Sequence, residues 1–202
     1  MSADDVLSDA EAEEARHVWL GARDDAVARA RRLVDLNVHK QVLNRLLEPF
    51  LWHTVIVSAT EWGNFFELRC APNAQPEMRA AALAMREAIG ASRPAAVASG
   101  HWHAPLLQSD ERALDPETQR RVSAARCARV SYLTHDGTRE LARDLELYDR
   151  LRRDRHLSPF EHVATPAADA QFHANFRGWV QMRREVEAAP ISALAGAERD
   201  RL

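Results

Sequence analysis

Apolar residues recur at steps of three to four in the first part of the chain, which is the spacing of an amphipathic helix. The first stretch spans residues 10–36, with apolar positions at Trp19, Val27, Ala30 and Val34. The second spans residues 38–50, where Pro49 discourages a helix beyond Glu48. The pattern predicts a long first helix, a second helix that breaks near Glu48, and a polar, disordered end over residues 1–9.

The next segment changes from helical spacing to a β-branched run and back. Residues 54–57 read Thr-Val-Ile-Val between aromatic residues, which is typical of a short buried strand. Ser58 and Glu61 have the spacing of a capping box and predict a helix that runs through Cys70. A further helix is predicted from Asn73 to Gly90, with Pro76 in its first turn.

The second half of the chain begins with an irregular connection. Residues 91–115 contain prolines and scattered small residues, and little regular structure is expected there. Asp115 opens a predicted helix that ends near Tyr132, and residues 136–137 form a predicted turn. Leu141, Leu145, Tyr148 and Leu151 mark another helix, and residues 172–182 alternate as a strand does.

Composition narrows the class of protein. A chain of 202 residues with 46% hydrophobic residues predicts one domain over residues 1–202. The formal charge of -3 gives no overall attraction to nucleic acid. Cys70 and Cys127 form no CxxC pair, and no apolar run is long enough to span a membrane, so we expect a cytoplasmic, soluble protein without a nucleic-acid or membrane partner.

One predicted helix face combines a cation with aromatic residues. A turn of 100° per residue puts Trp62, Phe65, Phe66 and Arg69 within one arc. A guanidinium beside large aromatics suits an anion such as phosphate or a deprotonated imide, because its planar fork matches those groups. The alternative is an arginine that extends past the aromatics to water or pairs with a structural glutamate.

Two strings stand out in and after this helix: Asn64-Phe-Phe-Glu-Leu-Arg69 and Asn73-Ala-Gln-Pro-Glu77. Together they resemble the nucleotide-binding stretch of the flavin-dependent thymidylate synthases. The resemblance implies that Arg69 contacts and polarises the pyrimidine as the catalytic residue. It also implies that Leu68 lines the pyrimidine pocket and that Asn64 lies against the flavin. Ser58, just before this stretch, is a further candidate for binding the cofactor.

Two other segments extend the resemblance. Arg45-Leu-Leu-Glu-Pro49 is similar to an element whose arginine reaches the nucleotide phosphate. Ala128-Arg-Val-Ser-Tyr132, then His156-Leu-Ser-Pro-Phe-Glu-His162, are similar to the flavin-binding half of the family. By that resemblance, Ser131 and His162 contact the flavin. The nucleotide-binding half then covers residues 10–90, and the flavin-binding half covers residues 116–190.

The chain departs from the common pattern of the family in two ways. The segments containing Ser131 and His162 follow the Arg69 segment, which is the order of a permuted subgroup. The R-H-R signature that binds flavin and phosphate does not occur. A start assigned too late, a divergent enzyme and a loss of activity are the open explanations. Replacement donors for the cofactor are expected at Arg177, Gln181 and Arg183, with Arg184 beside them.

The resemblance implies an α+β fold, with a curved mixed or antiparallel sheet and packed helices. It implies C5-methylation of a uracil nucleotide, dUMP or UMP, by a homotetramer that uses FAD, methylenetetrahydrofolate and NADPH. UMP methylation in a nucleoside-antibiotic pathway, a non-catalytic nucleotide-binding remnant and a helical interaction protein are the alternatives.

Two other patterns carry less weight. His101 and His103 lack the additional ligands of a metal site, so no metal is predicted. Cys70 lies beside Arg69, but a small cysteine is more often packed than nucleophilic.

Overall fold

The computed structural model describes residues 7–130, 139–173 and 175–189. It divides into two compact units. One comprises Met1–His53 with Gln75–Glu77, and the other comprises Thr54–Ala74 with Met78–Leu202. The predictions of a single domain and of its two halves remain predictions.

The first unit is built around a long helix, α1, at Asp9–Asp35. Ser8 and Glu11 form a reciprocal capping box at its start, which satisfies backbone donors that the first turn leaves unpaired. The predicted first helix is therefore confirmed. Trp19 on α1 packs edge to face on Phe50, with ring centroids 5.3 Å apart.

The predicted second helix is shorter than its apolar spacing indicated. Helix α2 covers only Lys40–Leu43. Two 3-10 turns follow, at Asn44–Leu46 and Glu48–Phe50. Pro49 lies in the second turn, where its missing N–H does not cost a helical hydrogen bond.

The second unit corrects two predictions at its start. Residues 54–57 form no strand, and Val55 and Val57 are 75% and 60% exposed, so a buried strand is wrong there. Helix α3 begins only at Gly63 and covers Gly63–Arg69. Its N-cap is Trp62, and no side chain caps it. Ser58 is therefore not a helix cap, because its hydroxyl is used elsewhere.

The remaining helices follow the sequence pattern closely. Helix α4 covers Pro76–Ala91. Helix α5 covers Pro116–Ala128, with Asp115 as its N-cap, and helix α6 covers Leu141–Arg153. The connection between α4 and α5 is irregular apart from a 3-10 turn at Asp110–Ala113. The end of α5 predicted near Tyr132 is too late, because α5 already ends at Ala128 with Arg129 as its C-cap. The predicted turn at 136–137 lies outside the described residues.

The core of the second unit lies where α5 packs against α6. Tyr148 and Phe160 meet edge to face with ring centroids 5.6 Å apart, and both are buried. Buried apolar neighbours complete this cluster: Ala124, Ala125, Val163, Met182 and Val186. The core therefore fixes the 3-10 turn Ser158–Glu161, which carries part of the candidate site.

The strands form two small antiparallel sheets. Strand β1 (Ala164–Pro166) pairs with β4 (Trp179–Gln181), and Ala164 faces Gln181. Strand β2 (Phe172–His173) pairs with β3 (Phe176–Arg177). The continuous strand predicted over 172–182 is therefore broken. Gly178, between β3 and β4, has φ 71°, a conformation that glycine adopts without strain.

The chain ends its described part with a short helix, α7, at Arg183–Ala188. Helices and small antiparallel sheets occupy separate parts of the second unit, which confirms the α+β class. Within the described ranges, every helix is too short or too polar to cross a membrane.

A buried ion-pair network links α5 to α6. Arg126 is 1% exposed and donates to Asp144 and Glu111. Arg129, from the Ala128–Tyr132 string, also donates to Asp144 at 2.5 Å. Since an unpaired charge is costly in a protein interior, this network holds the two helices in one arrangement.

Candidate functional site

Two residues that lie 104 positions apart in the sequence meet in the second unit. The Ser58 Oγ is 3.1 Å from the His162 Nδ1, and both side chains are partly buried. Ser58 comes from the segment before α3, and His162 directly follows the 3-10 turn Ser158–Glu161. Two predicted cofactor-binding residues are therefore in direct contact.

A set of hydrogen bonds joins both segments to the strand region. The Asn175 Nδ2 donates to the Ser58 carbonyl at 3.0 Å, and the Arg177 backbone N–H donates to the Thr60 hydroxyl at 2.8 Å. The Gln181 Nε2 donates to the Glu161 carbonyl at 3.0 Å. Residues 58–60, 161–162 and 175–181 thus form one connected group.

The surroundings of His162 favour the neutral form of its imidazole. Burial lowers the pKa of His162 below its ordinary value, and the neighbouring Glu161 carboxylate opposes this only partly. A neutral imidazole has one donor and one acceptor nitrogen. If the Ser58 hydroxyl donates to Nδ1, the proton lies on Nε2, which is then available as a donor.

Gln181 and Arg183 lie on a cavity of about 690 Å³. The cavity is also lined by polar and charged side chains, among them Glu161, His173, Asn175 and Arg184. Arg183 is paired with Glu161 and with Glu187, at 2.8 Å in the second case. Its charge is therefore already neutralised within the protein.

His162 lies on another cavity, of about 410 Å³. The same cavity is lined by Ala128, at the start of the Ala128–Tyr132 string, and by Arg150, His156 and Ser158. The structure therefore brings the described ends of both strings of the predicted flavin-binding half to one cavity. Ser131 itself lies outside the described residues.

Helix α3 carries the aromatic cluster that the sequence predicted. Trp62 stacks on Phe66 with ring centroids 5.8 Å apart, and Phe65 packs edge to face on both. The Trp62 Nε1 donates to the Ala59 carbonyl at 3.0 Å, which holds the cluster against the Ser58 segment.

The predicted nucleotide contacts of α3 lie on its exposed surface. Asn64 and Arg69 are exposed, and Leu68 is 56% exposed. Among the described residues, Arg69 has no hydrogen bond or ion pair. Its guanidinium is thus open to solvent at the end of the helix, as in the alternative of an arginine that passes the aromatics to reach water.

The remaining predicted residues lie in separate segments of the chain. Arg45 is exposed on a 3-10 turn of the first unit. The side chain of Arg177 lies over the Phe172 ring, 5.6 Å from its centroid, while its backbone holds Thr60. No group of three metal-ligating side chains lies within the described ranges, and the His103 backbone pairs with Ala164.

The sequence did not identify Thr60, Asn175 or Glu161 as members of this group. Thr60 and Asn175 bond across segments more than a hundred residues apart, which no local spacing reveals. For Glu161, the one indication in the sequence was its place directly before His162 in the string His156–His162.

Comparison with known proteins supports the resemblance in the first half of the chain. Residues 4–95 match the family model described as thymidylate synthase complementing protein. No protein of curated function and no solved structure matches the chain significantly.

The family match contains part of the candidate site. Within the thymidylate synthase complementing protein match lie Arg45, Ser58, Asn64, Leu68 and Arg69. His162 and the strand residues lie beyond it, and the matched segment contacts them through Ser58 and Thr60. The family indicates thymidylate synthase-like chemistry, which in this family generally depends on flavin.

Proposed function

We propose that the protein methylates C5 of a uracil nucleotide, dUMP or UMP, with methylenetetrahydrofolate as carbon donor and NADPH as reductant. The contact between Ser58 and His162 carries this proposal. It joins a residue within the family match to the string that resembles the flavin-binding half.

Arg69 supplies the charge for the nucleotide. Its exposed guanidinium offers several N–H donors in a planar arrangement that fits an imide carbonyl or a phosphate. A donor held there stabilises negative charge that develops on the uracil carbonyl as C5 becomes nucleophilic. Leu68 contributes an apolar surface beside it. In the first unit, the exposed Arg45 offers a guanidinium that suits a phosphate.

The residues of the 410 Å³ cavity fit a flavin nucleotide in chemistry. Arg150, His156 and Ser158 offer guanidinium, imidazole and hydroxyl donors for phosphate oxygens, with Asp154 as the acidic neighbour. His162 offers a neutral imidazole for a ring carbonyl, and Ser131 and Asn64 complete the proposed set. FAD, when bound and reduced, supplies the hydride for the methyl group.

The protein's own residues orient these groups and hold protons in place. Ser58 fixes the His162 ring, so its second nitrogen points in a defined direction. The Gln181 side chain donates to the backbone carbonyl of Glu161, the residue before His162, and Arg183 forms an ion pair with the Glu161 carboxylate. The three therefore keep the 3-10 turn in place.

Assembly and location form part of the proposal. We expect a homotetramer in which Arg69 of one subunit and His162 of another complete a site. Both cysteines are free thiols, and a reducing cytoplasm suits them. Gel filtration of a stable, active monomer would contradict this assembly.

One observation favours a second function, nucleotide binding without catalysis. Arg183 is a proposed replacement donor for the cofactor, yet Glu161 and Glu187 already neutralise it. A protein that keeps the Arg69 surface without a flavin site would bind dUMP or UMP and do no chemistry.

A flavin titration separates these functions. We would titrate the purified protein with FAD, follow the visible absorption spectrum, and then add dUMP or UMP. A bound-flavin spectrum that shifts on adding nucleotide supports the methylase, and the faster of dUMP and UMP in turnover identifies the sugar. Nucleotide binding without flavin uptake supports the non-catalytic function instead.

A further inference from the structure

Asn175 occupies the junction of the three segments that make up the candidate site. Its Nδ2 donates to the Ser58 carbonyl at 3.0 Å, and its Oδ1 accepts from the Gln181 Nε2 at 3.2 Å. One amide therefore uses both its donor and its acceptor to connect residues that are 117 and 6 positions away in the chain.

Gln181 continues the connection to the turn that carries His162. Its Nε2 donates to the Glu161 carbonyl at 3.0 Å, and the side chain is only 6% exposed. The backbone beside it is fixed as well, because the Met182 N–H donates to the Val163 carbonyl at 2.8 Å. Gln181 is thus held in place on both sides, and its side chain donates to the Asn175 Oδ1.

The connection closes into a ring of contacts. It runs from Ser58 through Asn175 and Gln181 to Glu161, then along the chain to His162 and back to the Ser58 hydroxyl. The hydrogen bond made by one ring nitrogen of an imidazole sets which nitrogen carries the proton, so the position of Ser58 matters for His162. In this ring, Asn175 is the one side chain that contacts the Ser58 backbone and Gln181 together.

We propose that Asn175 is a positioning residue that sets the Ser58–His162 hydrogen bond and thereby the tautomer of His162. Asn175 acts through Ser58 and does not touch the reacting groups. One consequence, an effect on the binding of flavin by His162, rests on the proposed function. The tautomer itself is a property of the protein without any ligand.

The test compares two variants by NMR and by flavin titration. Asn175→Ala removes both hydrogen bonds, and Asn175→Asp keeps the acceptor for Gln181 but loses the donor to Ser58. The imidazole nitrogens of His162, assigned by comparison with His162→Gln, report the tautomer without ligand. FAD titration of the same samples gives the dissociation constant, and Gln41→Ala serves as an amide deletion in the other unit.

In the unsubstituted protein and in Gln41→Ala we expect one His162 tautomer, protonated on Nε2. In both Asn175 variants we expect a mixture of tautomers and FAD binding about tenfold weaker, the effect of losing one or two hydrogen bonds. Because Asn175 is exposed, both variants should fold, and circular dichroism checks this.

Three results decide against some part of this inference. An unchanged tautomer in both folded variants overturns the positioning role, even if FAD affinity falls, because Asn175 would then act on the flavin directly. A changed tautomer with unchanged FAD affinity keeps the positioning role and removes His162 from flavin binding. If the unsubstituted protein takes up no FAD, the proposed function fails, while the tautomer measurement still decides the role of Asn175.

Discussion

The Arg126 Nε lies 3.0 Å from the Asp144 Oδ2, and both side chains are buried between α5 and α6. Asp144 also accepts from Arg129, and Arg126 also donates to Glu111 and to the Leu106 carbonyl. The carboxylate of Asp144 thus compensates two guanidinium groups. This makes Asp144 the residue of the second unit whose loss leaves the most uncompensated charge in the ion-pair network.

Asp144→Ala should lower the free energy of unfolding by about 3–5 kcal/mol, because it removes the carboxylate of Arg129 and one of the two carboxylates that compensate the buried Arg126 guanidinium. Denaturant unfolding followed by circular dichroism measures this. Asp149→Ala is the matched control, since Asp149 pairs with Arg121 at the surface and is 62% exposed. We expect that control to cost less than about 1 kcal/mol. Equal losses for the two variants would contradict a structural role for the buried network.

Glu111 should make stability depend on acid pH. Its hydrogen bond to Arg126 lowers the pKa of Glu111 below its ordinary value of 4.5. The folded protein therefore keeps this carboxylate ionised where the unfolded chain takes up a proton. The stabilisation is complete above pH 4.5 and is lost as the pH falls through the folded-state pKa. Urea unfolding at a series of pH values measures this. The free energy of unfolding should fall less steeply with acid pH in Glu111→Gln, and an unchanged dependence would mean that other carboxylates cause the loss of stability in acid.

The two cysteines should differ in reactivity. Burial raises the pKa of Cys127 to about 12, so almost none of it is thiolate at neutral pH. Cys70 is only partly buried at the end of α3. Iodoacetamide at pH 8 should therefore label Cys70 in the native protein and leave Cys127 unlabelled until denaturant is added. Mass spectrometry of the digested protein identifies the labelled site, and labelling of Cys127 in native protein would show that α5 opens.

The long helices could be predicted because neighbouring residues in the sequence determine them. Helices α1, α4, α5 and α6 combine helical apolar spacing with caps or prolines at their starts, as at Asp115 and Pro76. Asp144 shows where such patterns fail. It lies on the same helix face as Leu141 and Tyr148, and a carboxylate on an apolar face was the available indication of the buried network.

Non-local contacts explain the wrong predictions. Ser58 has the spacing of a capping box, but His162 is a competing partner 104 residues away. The β-branched residues 54–57 have a high strand propensity, yet a strand also needs a neighbour to pair with. Within the described ranges they have none. The two cavities are lined by residues from separate segments of the chain, so no spacing within one segment predicts them.

Arg69→Ala should weaken the binding of dUMP or UMP by tenfold or more, because a hydrogen bond to a charged group contributes about 1.5–3 kcal/mol. Isothermal titration calorimetry measures this. Arg69→Lys should restore only part of the affinity, since an ammonium lacks the planar fork. Arg86→Ala on α4 removes another exposed arginine and is the matched control. Nucleotide affinity that is unchanged in Arg69→Ala would favour a helical interaction protein, in which Arg69 is structural.

Ser58→Ala should raise the pKa of His162 toward its ordinary value. In the expected tautomer, with the proton on Nε2, the Ser58 hydroxyl donates to Nδ1 and stabilises the neutral imidazole, while burial continues to lower the pKa of His162 in the variant. An NMR titration of the His162 ring protons measures the change, and FAD binding should weaken about fivefold because the ring loses its orientation.

Ser58→Thr keeps the hydroxyl and should retain the pKa of the unsubstituted protein. Thr60→Ser is a second control, because it keeps the acceptor for the Arg177 N–H and leaves Ser58 intact. A His162 pKa that falls in Ser58→Ala would contradict this, because it would mean that the hydroxyl accepts from the Nδ1–H and that the acceptor nitrogen of neutral His162 is Nε2.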